Sequence, residues 1–190
     1  MKHADTRALH AYWDQLRAGR TAPERSDLDP GAIRTLLGDV FLLELGVPRH
    51  HVVRLAGTRI CALFGRELKA RPFAEPFAAA DRQDLHALLD GVAQTGIPAV
   101  AGIVGETADG RAINLEMLVL PLRHRGRTQA RLLGSIVSGD LPYWAGQVPL
   151  ARFRLLTVRH LRPDAALAGE IGLPGAPLRG PLRVLPGGRA

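Results

Sequence analysis

Apolar residues near the start of the chain recur at helical spacing. Leu9, Tyr12, Trp13 and Leu16 stand at i, i+3, i+4 and i+7, so a helix over Thr6–Ala18 gathers them into one stripe. Thr6 can cap that helix and Gly19 can end it. The polar stretch TAPERSDLDP follows. Its closing Asp29-Pro30 opens a short second helix over Pro30–Leu37, since Asp caps and Pro is tolerated at the first helical position. The pattern then changes to short β-rich runs, VFLLEL (Val40–Leu45) and HVVRLAG (His51–Gly57). Gly46, Pro48 and Arg49 lie between them, a spacing that suits an antiparallel hairpin. Thr58–Gly65 reads as a short helix with Thr58 as its cap. After Pro72 and Pro76, the positions Leu85, Leu88, Leu89 and Val92 mark a longer amphipathic helix over Ala79–Thr95, closed by Gly96 and Pro98.

Three more strands are expected at Ala99–Thr107, Arg111–Arg123 and Ala130–Asp140. The first two are joined through Asp109-Gly110, which accepts the positive φ of a tight turn. Alternation in the second places Ile113, Leu115, Met117 and Val119 on one face. The opposite face is polar at Asn114 and Glu116 and becomes apolar at Leu118, Leu120 and Leu122. Two strands, a helical crossing and a three-strand meander make an α+β fold: a five-stranded antiparallel sheet with helices on one face, preceded by N-terminal helices. The organisation expected is N-terminal helices over 1–38, the sheet domain with an extension over 39–162, and a disordered basic Gly/Pro-rich tail over 163–190.

Composition narrows the classes. The 190 residues are 46% apolar, enough for a real core and incompatible with a disordered chain. With one cysteine, Cys61, neither an intrachain disulfide nor a cysteine-based zinc site fits. There is no apolar run long enough to span a bilayer, and the start lacks a hydrophobic signal core, so a cytoplasmic location is expected. The net charge of +7 is concentrated in the last segment: Leu150–Ala190 holds seven Arg against two acids. Nucleic-acid association is therefore a reading for that segment rather than for the domain.

The order of elements is that of a PAS domain, and the residues go further. YWDQLRAGR (Tyr12–Arg20), PERSDLDP (Pro23–Pro30), VRLAGT (Val53–Thr58) with CALFGREL (Cys61–Leu68), and the pair Asp81-Arg82 resemble a bacterial family of small, stand-alone PAS proteins without an attached output domain. LRHRG before the last strand, PYW (Pro142–Trp144) and a closing strand-like segment, RLLTVRHL (Arg154–Leu161), fit as well. The resemblance spans about Ala11–Leu161. It implies a PAS fold and a sensory or regulatory role, and it carries no catalytic motif onto these positions.

The residues themselves offer little chemistry. Ser26, Ser135 and Ser138 are the serines, and none lies in a nucleophile-elbow pattern. Cys61 reads as a small buried residue of a core helix, in a run unlike the cysteine site of flavin-binding PAS domains. His86 lies on the long helix, from which some haem-binding PAS domains take their axial ligand, but 100° from Leu85 it stands off the apolar stripe and reads as a boundary residue. His50 and His51 point to opposite faces of a strand and cannot chelate together. Gly102-Ile103-Val104-Gly105 lacks the Lys and helix of a phosphate loop. Asp81, Asp84 and Asp90 read as a solvated helix face, and Arg25 and Asp27 as residues that pair with the fold and order their turn. No enzyme activity, metal or cofactor is expected.

The function expected is a PAS signalling module that binds a small ligand or a protein partner. Ligand-pocket candidates are Val53, Ile60, Phe64, Phe77, Leu85, Leu88, Ile103, Leu115, Met117 and Ile136, which would line a cavity between sheet and helices. Interface candidates are Leu9, Tyr12, Trp13, Leu16, Leu118 and Leu120, which would form the seam of a homodimer or dock a signalling partner. The alternatives are a pure interaction module without ligand and nucleic-acid association through the C-terminal segment. What separates the first two is whether the Leu9–Leu16 stripe can be covered within its own chain.

Overall fold

The computed structural model describes residues 1–46, 50–161 and 183–184, so most of the tail lies outside the described residues. The first helix, α1, runs Ala4–Arg17. It begins ahead of Thr6, which is wholly buried inside its first turn and does not cap it. The backbone then turns left-handed at Ala18 (φ 47°) and Gly19 (φ 79°), which ends the helix. Between α1 and the sheet come three single 3₁₀ turns, Arg25–Asp27, Pro30–Ile33 and Leu37–Asp39, in place of the longer second helix expected. Asp29 does cap as expected: its Oδ1 accepts the Gly31 N–H at 2.8 Å.

The sheet begins with β1 (Val40–Leu45) and β2 (His51–Ala56), an antiparallel pair. After them come α2 (Thr58–Phe64) and α3 (Arg82–Thr95), each closed by a glycine in the left-handed region, Gly65 and Gly96. Gly57, not Thr58, takes the N-cap position of α2. The strands β3 (Ala99–Thr107), β4 (Ala112–His124), β5 (Arg127–Val137) and β6 (Leu150–His160) complete the antiparallel part. A two-residue β7 (Arg183–Val184) pairs in parallel with β6, giving the order β2-β1-β5-β4-β3-β6-β7.

The sheet thus has two strands more than the five expected: β7, and β6, which pairs with β3 along its full length and includes most of the segment that the resemblance alone marked as strand-like. The buried residues of β6, Leu150, Phe153, Leu155 and Val158, are spaced unevenly because the ladder shifts register at Gly102/Ile103 and at Glu106/Thr107. Each irregularity spoils the period-two signal on which strand recognition rests.

Both faces of this sheet are covered. On the inner face, α2 and α3 pack over Ile113, Leu115, Met117, Val119 and Ile136. On the outer face, Leu9 and Trp13 of α1 meet Leu42, Leu118, Leu120, Leu122 and Leu133. Helices thus stand on both sides, where one side was expected. Several of the family-like motifs are joints in this frame. A Cβ on Gly57 of VRLAGT would lie 2.1 Å from the Leu37 carbonyl oxygen, while the Gly57 N–H donates to the Val40 carbonyl at 2.8 Å. Only glycine lets the two segments approach so closely. Asp81 accepts the Leu155 N–H at 3.0 Å and so ties the start of α3 to β6, and Arg82 donates to the Phe77 and Glu75 carbonyls.

Candidate functional site

All ten pocket candidates, Val53, Ile60, Phe64, Phe77, Leu85, Leu88, Ile103, Leu115, Met117 and Ile136, are buried in one core between sheet and helices. The space they surround is filled. Phe41, Phe73, Phe77, Phe153 and Phe64 form a continuous run of rings, with successive centroids 4.8, 5.9, 5.6 and 4.7 Å apart. These are all five phenylalanines of the protein. Beside them is a cavity of about 10 Å³, lined in part by Val53, Phe64 and Phe73. That is room for roughly one water molecule. Three of the five rings, Phe41, Phe73 and Phe153, were not among the pocket candidates. Phe73 and Phe77 stand in a proline-interrupted segment without a period, so no periodicity argument reaches them.

Five of the six interface candidates are brought together with one another. Leu9, Trp13, Leu118 and Leu120 are buried inside one chain, Tyr12 is half-buried at the edge of the same cluster, and Leu16 is half-buried on α1. Trp13, 2% exposed, donates its indole N–H to the Pro121 carbonyl at 2.8 Å. The hydroxyl of Tyr12 accepts the Asp29 N–H at 2.8 Å. The buried part of the stripe, Leu9 and Trp13, is therefore covered by its own sheet. Glu116 fastens the start of α1: its carboxylate accepts the Lys2 N–H at 2.8 Å and the His3 N–H at 3.2 Å. Burial opposes the charge on Glu116, yet those amides outweigh it and hold the carboxyl below its ordinary range.

Sequence reasoning missed a polar link between β2 and α3. His51 is buried, unlike its exposed neighbour His50, and its Nε2–H donates to Asp90 Oδ1 at 2.8 Å. Its Nδ1 lies 3.0 Å from Nδ1 of His86. One proton must lie between those two nitrogens for them to bond. Asp90 was read as part of a solvated face. It is instead the acceptor that orients a buried ring. The signal was the alternation at His50-His51, which sends one of two adjacent histidines inward.

Cys61 is half-buried, less so than expected, with its Sγ 3.7 Å from a Glu67 carboxylate oxygen. Burial, reinforced by that carboxylate, pushes the thiol up, away from the thiolate that a nucleophile or metal ligand needs. Among the described residues, no three His, Cys, Asp or Glu side chains stand close enough to hold a metal ion, and no helix is long and apolar enough to cross a membrane.

An α+β domain with this strand order, two helices over the inner face and a capping helix over the outer one defines a PAS-type fold. A family model described as a PAS domain matches residues 1–137, and the chain belongs to that family. PAS membership supports a sensory or regulatory role. A search of curated proteins finds no match. Among solved structures, a light-oxygen-voltage domain carrying a flavin analogue aligns at 13% identity over 58% of this chain and 83% of its own, with a TM-score of 0.46. A PAS domain from Colwellia psychrerythraea aligns at 12% identity over 58% and 97%, TM-score 0.43. The light-oxygen-voltage protein of Rhodobacter sphaeroides aligns at 12% identity over 62% and 73%, TM-score 0.45.

Proposed function

We propose that this protein is a non-catalytic PAS regulatory module that works through contact with a protein partner rather than through a ligand held in its core. The observation that carries this reading is the run of five phenylalanine rings, which leaves a cavity of about 10 Å³. Small-molecule sites usually offer ~300–1,000 Å³. A ligand of flavin or haem size would have to expel several rings from a close-packed interior, at a cost of several kcal/mol. A homodimer through Leu9, Tyr12, Trp13, Leu16, Leu118 and Leu120 would need α1 to leave its own sheet first. Among the described residues the exposed large apolar side chains lie elsewhere: Leu55 on β2, and Leu141 and Tyr143, the latter 86% exposed, on the loop between β5 and β6.

Native mass spectrometry of the purified protein tests the reading. A monomer at the mass of the polypeptide is expected. A stoichiometric adduct of a few hundred daltons, lost on denaturation, would favour the interior-ligand alternative. A dimer that Trp13→Asp dissolves would restore α1 as a seam between chains.

A further inference from the structure

The PERSDLDP segment has a consequence that the core does not explain. Its acids are spent on holding the segment in place. Asp27 accepts the Glu24 N–H at 3.0 Å and pairs with Arg20 at 2.9 Å. Glu24 accepts the Gly126 N–H at 3.1 Å and stands 3.5 Å from Arg123, while the Arg123 N–H donates to the Pro23 carbonyl. The segment is thereby fixed against the turn between β4 and β5, and a cleft of about 590 Å³ remains between them. It is lined by Glu24, Arg25, Ser26, His124, Arg125, Gly126 and Arg131.

This cleft is basic, and two of its cations, Arg25 and Arg125, are unspent among the described residues. Arg54, Arg59, Arg111 and Arg152 each hold a carboxylate. Arg25 and Arg125 hold none among the described residues, against the expectation that Arg25 pairs to order its turn. Arg131 reaches Glu44 only at 3.7 Å, and its buried Nε has no hydrogen-bond partner. Arg125 also occupies the first centre of a two-residue turn, with φ 53° followed by Gly126 at 73°. Asn or Gly is the usual residue there, and a long side chain in that conformation is strained. The strain places a guanidinium at the mouth of the cleft.

We propose that the cleft binds a small phosphate-bearing molecule. Three guanidiniums and an imidazole face one carboxylate that is already engaged, an excess of charge suited to a dianion. Guanidinium forks match phosphate oxygens two at a time. The volume is that of a small-ligand site, and the cleft is walled on two sides by the segment and the turn. None of its residues belongs to the phenylalanine core, so this site and the reading of the core stand or fall separately.

Titration calorimetry of the full chain with pyrophosphate, at ionic strength held constant with sodium chloride, tests it. One-to-one binding is expected. Arg25→Gln and Arg125→Asn should each weaken it at least tenfold, Arg125→Asn without loss of fold because Asn tolerates the turn. Arg152→Gln, which removes a paired guanidinium on β6, should leave it unchanged, and unchanged thermal midpoints show that the variants are folded. The proposal is overturned if the wild type shows no saturable binding, or if the cleft variants bind as well as Arg152→Gln does. It is equally overturned if duplex DNA binds more tightly than pyrophosphate with the same dependence on Arg25 and Arg125.

Discussion

The two faces of the sheet are both covered, but by different kinds of contact. The inner face is sealed by aromatic and aliphatic packing, from the run of five rings to Leu85, Leu89 and Val92 of α3. The outer face is covered by α1 together with Ala22, Ile33 and Leu36 of the segment that follows it, and α1 is fastened there by polar contacts as well: the Trp13 indole on Pro121 and the Lys2 and His3 amides on Glu116. The outer face also carries a defect: the hydroxyl of Ser135 is buried with no hydrogen-bond partner. An unsatisfied buried hydroxyl costs about 1–3 kcal/mol, so the outer seam holds with less margin than the inner one. The comparison teaches where change is cheap: the inner face resists it, and the outer face can yield without loss of the domain.

The largest effect is expected where the two rows of rings join. Phe153 touches both Phe64 and Phe77. Phe153→Ala should lower the unfolding free energy by about 3–5 kcal/mol in urea titration. A loss under about 1 kcal/mol would mean that the rings do not seal the interior, and the contrast between the faces would collapse. Trp13→Ala should cost somewhat less, about 2–4 kcal/mol, and differently. Hydrogen exchange should show α1 amides losing protection while those of α3 keep it. Equal loss in both helices would make the faces one cooperative unit.

Acid should separate the faces in the same direction. Desolvation holds His10, which lies against Trp13, below its ordinary value of 6.5, so the docked helix disfavours its protonation. That contribution is complete well above pH 6.5 and shrinks as the pH falls below it. Glu116 is held below its ordinary 4.5, so its contribution is present above that value and is lost as the pH falls through the lowered native one. Both weaken α1 docking on acidification. In a Trp144→Phe background, the emission of Trp13 should shift to the red between pH 7 and pH 4, ahead of loss of the far-ultraviolet signal. Constant emission over that range would show that the polar fastenings do not govern the seam. The smallest effect is expected at Ser135. Ser135→Ala removes a buried orphan hydroxyl and should be neutral or stabilising by up to about 1 kcal/mol, read from the thermal midpoint. A clear destabilisation would show that the hydroxyl is satisfied after all.

The elements that obey a period were legible from the chain alone. The α1 stripe, the α3 stripe, the two faces of β4 and the Asp109-Gly110 turn follow from local spacing and backbone preference, and with them the PAS order. A ladder with register shifts hid β6 from any reading by period, and short 3₁₀ turns took the place of a second helix. Every one of the ten pocket candidates lies in the core. Whether that core was hollow could not follow from them, because Phe41, Phe73 and Phe153 come from a strand, a proline-broken segment and a strand whose register shifts leave no period.

What only the tertiary structure decided is how each surface was used. An amphipathic stripe states that a helix must be covered. It is silent on whether the cover is its own sheet or another chain, since both bury the same apolar area. In the same way, Arg25 and Asp27 were both expected to pair with the fold, and the sequence could not say with which groups. The fold gave Asp27 to Arg20 and left Arg25 facing Arg125 and Arg131 across the cleft, because charges pair by distance in space and not by distance along the chain.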